Sequence, residues 1–572
     1  MLIRRKRRID MERLRRIRLP EWSDYVAVIA IAILGFCYMY GIHIINPTYS
    51  DWLLKNAHYD LPQHYLGWKA YRNGNWTFPI GYTDYLLYPT ETSVIFTDSI
   101  PCFAVFFKLL SPFLPSEFQY FGLWGIMCFI LQGVLSAKIV RRFTDSKVFV
   151  ILASVLFIFS PCMIRKMYAH TALAGQWIIL LALQSVFFYK DYAQSRRIYV
   201  LWAVLGVLTA SVHIYFTPMC GIVLLGYCTA DFMAYKHFKR NLLVLAAYLV
   251  SAGITIFLLG GGGGHGVALV AKGFRTMSFN LNGLFDPQGW SCIYQDLPLY
   301  GDGQYEGFAY LGAGGILLLL FCGTLLISNE NLKKIIADYR CEIASLTVVI
   351  LISLIFALSP TVTLNERILA DFSLPYFIEK YWAIFRSTGR FGWVIFYTLL
   401  LCLCIVLCRI VNTRTAVTFI ALCAAIQIYD IHTEIVGRHM QYSQTVTYET
   451  VYDNEFSDFW GPLGENDTIR HVMFTIPMTG ENLYAMADWA LGHNKTINYF
   501  YFARQYDGFE DNLEAALANP DETEIFLFPE YIEEEKQKCL QYDLNYYLVD
   551  DYIVGYTGTF ENWEQLPEDY FQ

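Results

Sequence analysis

Asp60 and His64 stand four residues apart in the segment that follows the first apolar run, 25–45. On a helix that spacing puts them on one face. A carboxylate placed beside an imidazole can take a proton from a hydroxyl nucleophile. The same segment carries Asp51, just past the apolar run, and Asp98, inside the mostly apolar stretch 94–110. Later come Arg165 and His170 in RKMYAHTALAGQW, Glu306 in YEGFAYLG, and Arg386 and Arg390 in IFRSTGRFGW. These groups lie at the ends of apolar runs, where an ionisable side chain held without a use is costly. One carboxylate to accept a proton and steady positive charge, with arginines to grip an anion bidentately, is enough to displace a charged leaving group.

Each residue also has a structural reading. Asp60 precedes LPQHYLGW with Pro62 at an early helical position, as a helix cap does, and Asp51 stands likewise before WLLKNAH. Asp98 can bond the backbone of Ser99 and Ile100. His64 can be a packed core histidine, and His170 an interfacial hydrogen bonder. Arg386 and Arg390 can reach for lipid headgroups. The glycine run 260–264 lacks the G-K-[ST] ending of a phosphate loop and reads as a span terminator.

The elements that must position these groups are membrane helices. Hydrophobic residues make up 55% of the 572 and charged residues only 16%, so much of the surface faces something other than water. Apolar runs at 25–45, 119–140, 148–163, 171–188, 199–212, 216–232, 242–259, 308–327, 343–358, 392–411 and 416–429 predict about eleven spans. If 94–110 does not cross, every basic connection falls on the cytoplasmic side, including Arg141 with Arg142, Lys333 with Lys334, and Arg409 with Arg414. That stretch therefore reads as a half-inserted segment on the outer face.

The expected architecture is an all-α polytopic bundle with a small extracytoplasmic α/β domain. A basic cytoplasmic start, 1–24, leads into a membrane module, 25–430, with external loops at 46–118, 260–307 and 359–390. The tail, 431–572, alternates strand-like and helix-like stretches. From Gln441 onward 26 acidic residues face 5 basic ones, against a densely basic run from Arg4 to Arg18. A basic tail before an apolar span anchors on anionic lipid, so no nucleic-acid partner is expected. The first run is too long for a signal-peptide core and should stay in the mature chain. Most of the fourteen cysteines lie in apolar runs and no CxxC pair occurs, so neither a disulfide framework nor a zinc site is indicated.

An acidic residue after the first span, an aromatic or His four on, and then Gly74-Asn75-Trp76-Thr77-Phe78-Pro79 resembles the GT-C class of membrane glycosyltransferases. TDSIP, FQYFGLW, EGFAYLG and RSTGRFGW look like an uncharacterised bacterial multi-pass family of that class. The resemblance covers roughly 25–430; it lacks an adjacent acidic pair in the first loop and a WWD-type motif. It implies a GT-C-like fold and a sugar donor carried on a polyprenyl phosphate. It also implies an envelope glycan or lipid as acceptor, and a catalytic carboxylate in the first loop.

The chemistry then places Asp60, or else Asp51 or Asp98, as the base. His64, His170, Arg386, Arg390 and Glu306 would contact substrate, with Arg165 a further phosphate partner. No cofactor is required, though a divalent cation can be accommodated. The expected location is the plasma membrane, with the N-terminus cytoplasmic and the tail outside. A flippase for lipid-linked glycans is the rival reading, and a non-catalytic envelope assembly protein a third. A flippase would place charges within the spans, and here they gather at the outer face.

Overall fold

The computed structural model describes residues 20, 22–55, 60–262, 273–330, 332–448, 458–502 and 506–571. The basic start, and Gly263 and Gly264 of the glycine run, lie outside the described residues. Seven described helices are long and apolar enough to cross a membrane: Ser23–Tyr40, Phe121–Arg141, Lys147–Lys166, Phe216–Tyr235, Phe238–Leu258, Arg340–Leu358 and Thr388–Ile410. The chain is a polytopic membrane protein. On Phe238–Leu258 the side chains of Leu242, Leu243, Leu249, Val250, Ile254 and Phe257 are more than half exposed, which leaves an apolar face for lipid.

Full-length helices do not reach the expected count of about eleven. Gly312–Ile327 with Leu332–Asp338, and Thr413–Asp430 with His432–Tyr442, are bent pairs that bring the number to nine if each is one span. The runs at 171–188 and 199–212 form the shorter apolar helices Thr171–Phe187 and Arg197–Val212. Sixteen residues in the latter rise about 24 Å, less than the roughly 30 Å of a hydrocarbon core. The stretch 94–110 is no span either. It divides into a 3-10 turn, Val94–Thr97, and a nine-residue helix, Pro101–Leu109.

The segments expected to be external carry more strand than expected. The first holds the buried helix Leu61–Asn73 and an antiparallel hairpin of β1 (Tyr82–Leu87) and β2 (Thr90–Ser93). In the third, β3 (Thr361–Leu364) pairs with β4 (Arg367–Asp371). The second segment is knitted to that hairpin by Gln304, whose amide nitrogen donates to Thr363 Oγ1 at 2.7 Å.

The C-terminal sheet has five strands: β5 (His471–Phe474), β6 (Thr496–Ile497), β7 (Glu524–Pro529), β8 (Asn545–Val549) and β9 (Tyr552–Tyr556). Their spatial order is β6-β5-β7-β9-β8, with β6, β5 and β7 parallel to one another and β9 antiparallel to both β7 and β8. Central β7 is buried along its whole length, which explains its continuous apolar run IFLF, 525–528, rather than an alternation. The helix Gly480–Gly492 makes the crossover from β5 to β6 and rests on Leu61–Asn73. There Lys69 meets Asp488 at 2.8 Å, and Asn73 Nδ2 donates to Leu491 O at 2.7 Å. Tyr88 stacks on His471, ring centroids 3.6 Å apart.

Candidate active site

Three local constructions bring the ionisable residues to one cavity of about 810 Å³. The first is the helix Leu61–Asn73. Asp60 occupies its N-cap position, yet its side chain makes no cap hydrogen bond. Its Oδ2 instead lies 3.1 Å from His170 Nδ1. One turn on, His64 is fully buried, with Nδ1 3.1 Å from Thr171 Oγ1. A Cβ on Gly67 would sit 2.4 Å from Thr97 Cβ, so glycine there admits the segment Thr97–Ser99 against the helix. Ser99 Oγ donates to His64 O at 2.7 Å, and Asp98, at φ +54°, turns its carboxylate back toward the cavity. There it lies 3.2 Å from His213 Nε2 and 3.9 Å from His64 Nε2.

The second is a break inside the span Lys147–Lys166. Pro161 cannot donate the hydrogen bond that would continue the helix Lys147–Ile158, and a new turn starts at Pro161–Lys166. That turn carries Arg165 and Lys166 to the cavity wall, with His170 just beyond. The third is a backbone contact. The 3-10 turns Asp302–Gly307 and Thr388–Phe391 meet through glycine, since a Cβ on Gly389 would lie 2.5 Å from Gly307 Cα. The neighbours of those glycines, Glu306 and Arg390, form a two-pronged pair at 2.9 Å on each prong. Lys166 Nζ reaches the same carboxylate at 2.8 Å, and His170 Nε2 stands 3.6 Å from it.

Electrostatics sort these groups. Burial works to raise the Asp60 carboxyl, but the hydrogen bond and charge of His170 outweigh it, so it lies below its ordinary value. Asp98 is held low as well, burial being outweighed by His213 and then His64. Glu306 is held well below the usual range by Arg390 and Lys166 despite its burial. Burial pushes His64 down to about 4 against the pull of Asp98 and Asp60, so its ring is neutral at neutral pH. The His64–Asp98 approach is therefore a dipolar contact rather than an ion pair.

Of the residues expected at a site, Asp60, Asp98, Arg165, His170, Glu306, Arg386 and Arg390 line the cavity. His64 stands behind the wall, supporting it. Asp51 is not brought there; it opens the short helix Asp51–Lys55 away from the cavity, because proximity to the first span in sequence does not set direction in space. Arg390 is committed to Glu306 rather than presented alone. Sequence reasoning missed Lys166, His213, Glu434, Arg438 and Tyr501, all lining residues. Lys166 beside Arg165 at a span end, and His213 closing the run 199–212, carried a signal. Tyr501, from the C-terminal domain, carried none.

Asp60, His64 and His170 each offer a ligand atom, all within 4.8 Å of one another. His64 Nε2 is buried without a hydrogen-bond partner among the described residues. Two imidazoles and a carboxylate suit a divalent ion of Zn²⁺ type with a position left open.

The chain belongs to the family defined by DUF6311, a domain of unknown function, whose model matches residues 29–432; that of the DUF6311 C-terminal domain matches 459–557. Two solved structures are similar to it. One is the archaeal oligosaccharyltransferase AglB from Archaeoglobus fulgidus in complex with an inhibitory peptide and a dolichol-phosphate. It is 11% identical, covering 96% of this chain and 77% of that one, with a TM-score of 0.43. The other is an oligosaccharyltransferase of Archaeoglobus fulgidus in complex with Zn and sulfate, 9% identical, covering 95% and 75%, with a TM-score of 0.40. Among curated proteins nothing matches.

Proposed function

We propose that this protein is a membrane glycosyltransferase that moves one sugar from a polyprenyl-phosphate donor to a hydroxyl of an extracytoplasmic acceptor, with inversion. The observation that carries the reading is the pair of carboxylates, Asp60 and Asp98, gathered in one cavity with Arg386 beside an apolar wall. A carboxylate takes the acceptor's hydroxyl proton as the oxygen attacks the anomeric carbon. The bond to the phosphate oxygen breaks, and polyprenyl phosphate leaves already ionised, so no general acid is needed. The guanidinium of Arg386 answers the charge of that phosphate. Arg390 neutralises Glu306, which in turn orients His170 behind Asp60. A divalent ion on Asp60, His64 and His170 would add positive charge against the leaving group.

Mass spectrometry of envelope glycans from cells carrying wild type, Asp60→Asn or Asp51→Asn tests the reading. Asp60→Asn keeps size and removes basicity, so the product should fall by ~10²–10⁴-fold while the protein still inserts. Asp51→Asn should match wild type. Identical glycans in cells with and without the protein would refute the proposal.

A further inference from the structure

The cavity has two unlike ends. At one, Ile95, Ile214 and Ile384 are the chain neighbours or near neighbours of Asp98, His213 and Arg386, and with Ile256 of the span Phe238–Leu258 they make an apolar wall. At the other end side chains stack in layers. The Arg165 guanidinium lies over the Phe308 ring at 4.3 Å, Phe308 packs on Trp290 at 5.3 Å, and Arg438 covers Trp290 at 4.7 Å. Between the ends stand Asp60, His170 and Glu306, linked at 3.1 and 3.6 Å.

The cations of the second end are not equally matched. Glu306 answers Lys166 and Arg390, and Glu434 answers Arg438 at 2.5 Å. Arg165 makes no ion pair among the described residues, and its Nη1 is buried without a hydrogen-bond partner there. The carboxylates whose charge reaches Arg165, Glu306 and Glu434, are already paired with other cations. A partly buried guanidinium with no ion-pair partner of its own is costly to keep, a cost that an anionic ligand removes.

Resting on the proposed glycosyl transfer, we infer that the Arg165 end is the acceptor subsite. The acceptor carries an anionic group, a phosphate or a carboxylate, near the hydroxyl that receives the sugar. The donor's lipid chain belongs at the isoleucine end, whose apolar wall includes Ile256 of the span Phe238–Leu258. The sugar to be transferred then lies between, over Asp60. An anion on Arg165 holds the acceptor on the side of Asp60 opposite the departing phosphate, which is the arrangement an inverting displacement requires.

Binding to the full-length protein in nanodiscs separates the two ends. The probes are a short-chain polyprenyl phosphate, glycerol 1-phosphate and methyl glucuronoside. Arg165→Gln should weaken whichever small anion binds wild type by about tenfold or more, the worth of one charge-assisted hydrogen bond. It should leave polyprenyl phosphate affinity unchanged, and Arg165→Lys should recover part of the loss. Arg386→Ala should do the reverse. Preference for glycerol phosphate or for the glucuronoside decides between phosphate and carboxylate. Failure of both anions to bind wild type, or loss of polyprenyl phosphate binding in Arg165→Gln, would overturn the inference. Failure of polyprenyl phosphate alone would strike the glycosyl-transfer reading instead.

Discussion

At the scale of single residues the site turns on His170, whose two nitrogens face two carboxylates, Asp60 at 3.1 Å and Glu306 at 3.6 Å. Burial works to raise the Asp60 carboxyl, and His170 is the main influence that holds it below the usual range. A base must be ionised to accept a proton, so a depressed pKa extends activity toward acid. His170→Gln removes the largest lowering influence and leaves only the weaker pull of His64 against burial. The acid limb of the pH–rate profile should therefore move to higher pH, with the rate near neutrality less affected. An acid limb that stays in place would mean that Asp60 is not the group it reports. Nearness to the first span was a poor guide to this chemistry, since Asp51 has it and points elsewhere.

At the scale of elements, glycine contacts decide which charges meet. Gly307 and Gly389 let two 3-10 turns touch backbone to backbone, and Gly389 N–H donates to Met277 O at 3.0 Å in the same knot. The consequence is that Arg390 lies inside, bound through both prongs to Glu306, while Arg386 stays half-buried on the cavity wall. Two arginines four residues apart in one motif thus stand in different surroundings. Removing one member of a buried ion pair costs about 3–5 kcal/mol, and Lys166 still answers Glu306 here, so Arg390→Ala should lose about 3 kcal/mol. Thermal unfolding in detergent reads that loss. Arg386→Ala should lose less stability than Arg390→Ala and fail instead in polyprenyl phosphate binding. Equal stability of the two variants would contradict this division.

For the whole molecule, the C-terminal domain is a wall of the site rather than an appendage. Lys69 with Asp488, Tyr88 on His471, and the Tyr88 N–H bonded to Ile497 O at 3.0 Å fasten it to the segment after the first span. Tyr501 then reaches the cavity. If the basic connections are cytoplasmic, this whole face lies outside. In a Cys292→Ser background, an impermeant thiol reagent applied to intact cells should label a cysteine placed at Pro115 and not one at Asp145. Both positions are exposed, so accessibility does not bias the result. Labelling at 145 alone would invert the orientation.

Length and composition of apolar runs were enough to read a polytopic membrane protein, because a span is a local property of about twenty consecutive residues. The α/β character of the tail was legible for the same reason, in runs such as EIFLF and DNLEAALA. Local spacing also put Asp60 and His64 on one helix face, and the neighbourhood of Glu306 and Arg390 marked both as unusual. Which of these residues face the same space was not local. Glu306 and Arg390 are 84 positions apart, and Asp60 and His170 stand on different elements. Pairings of that kind follow from backbone approach distances and from the bend after Asp430, whose carboxylate accepts from Tyr310 Oη and the Ala313 N–H at 2.8 Å each. That bend of 53° swings Glu434 and Arg438 into the cavity from a stretch that reads in sequence as the start of the tail. Packing chose among candidates that sequence could only nominate, since side-chain direction is set by neighbours distant along the chain.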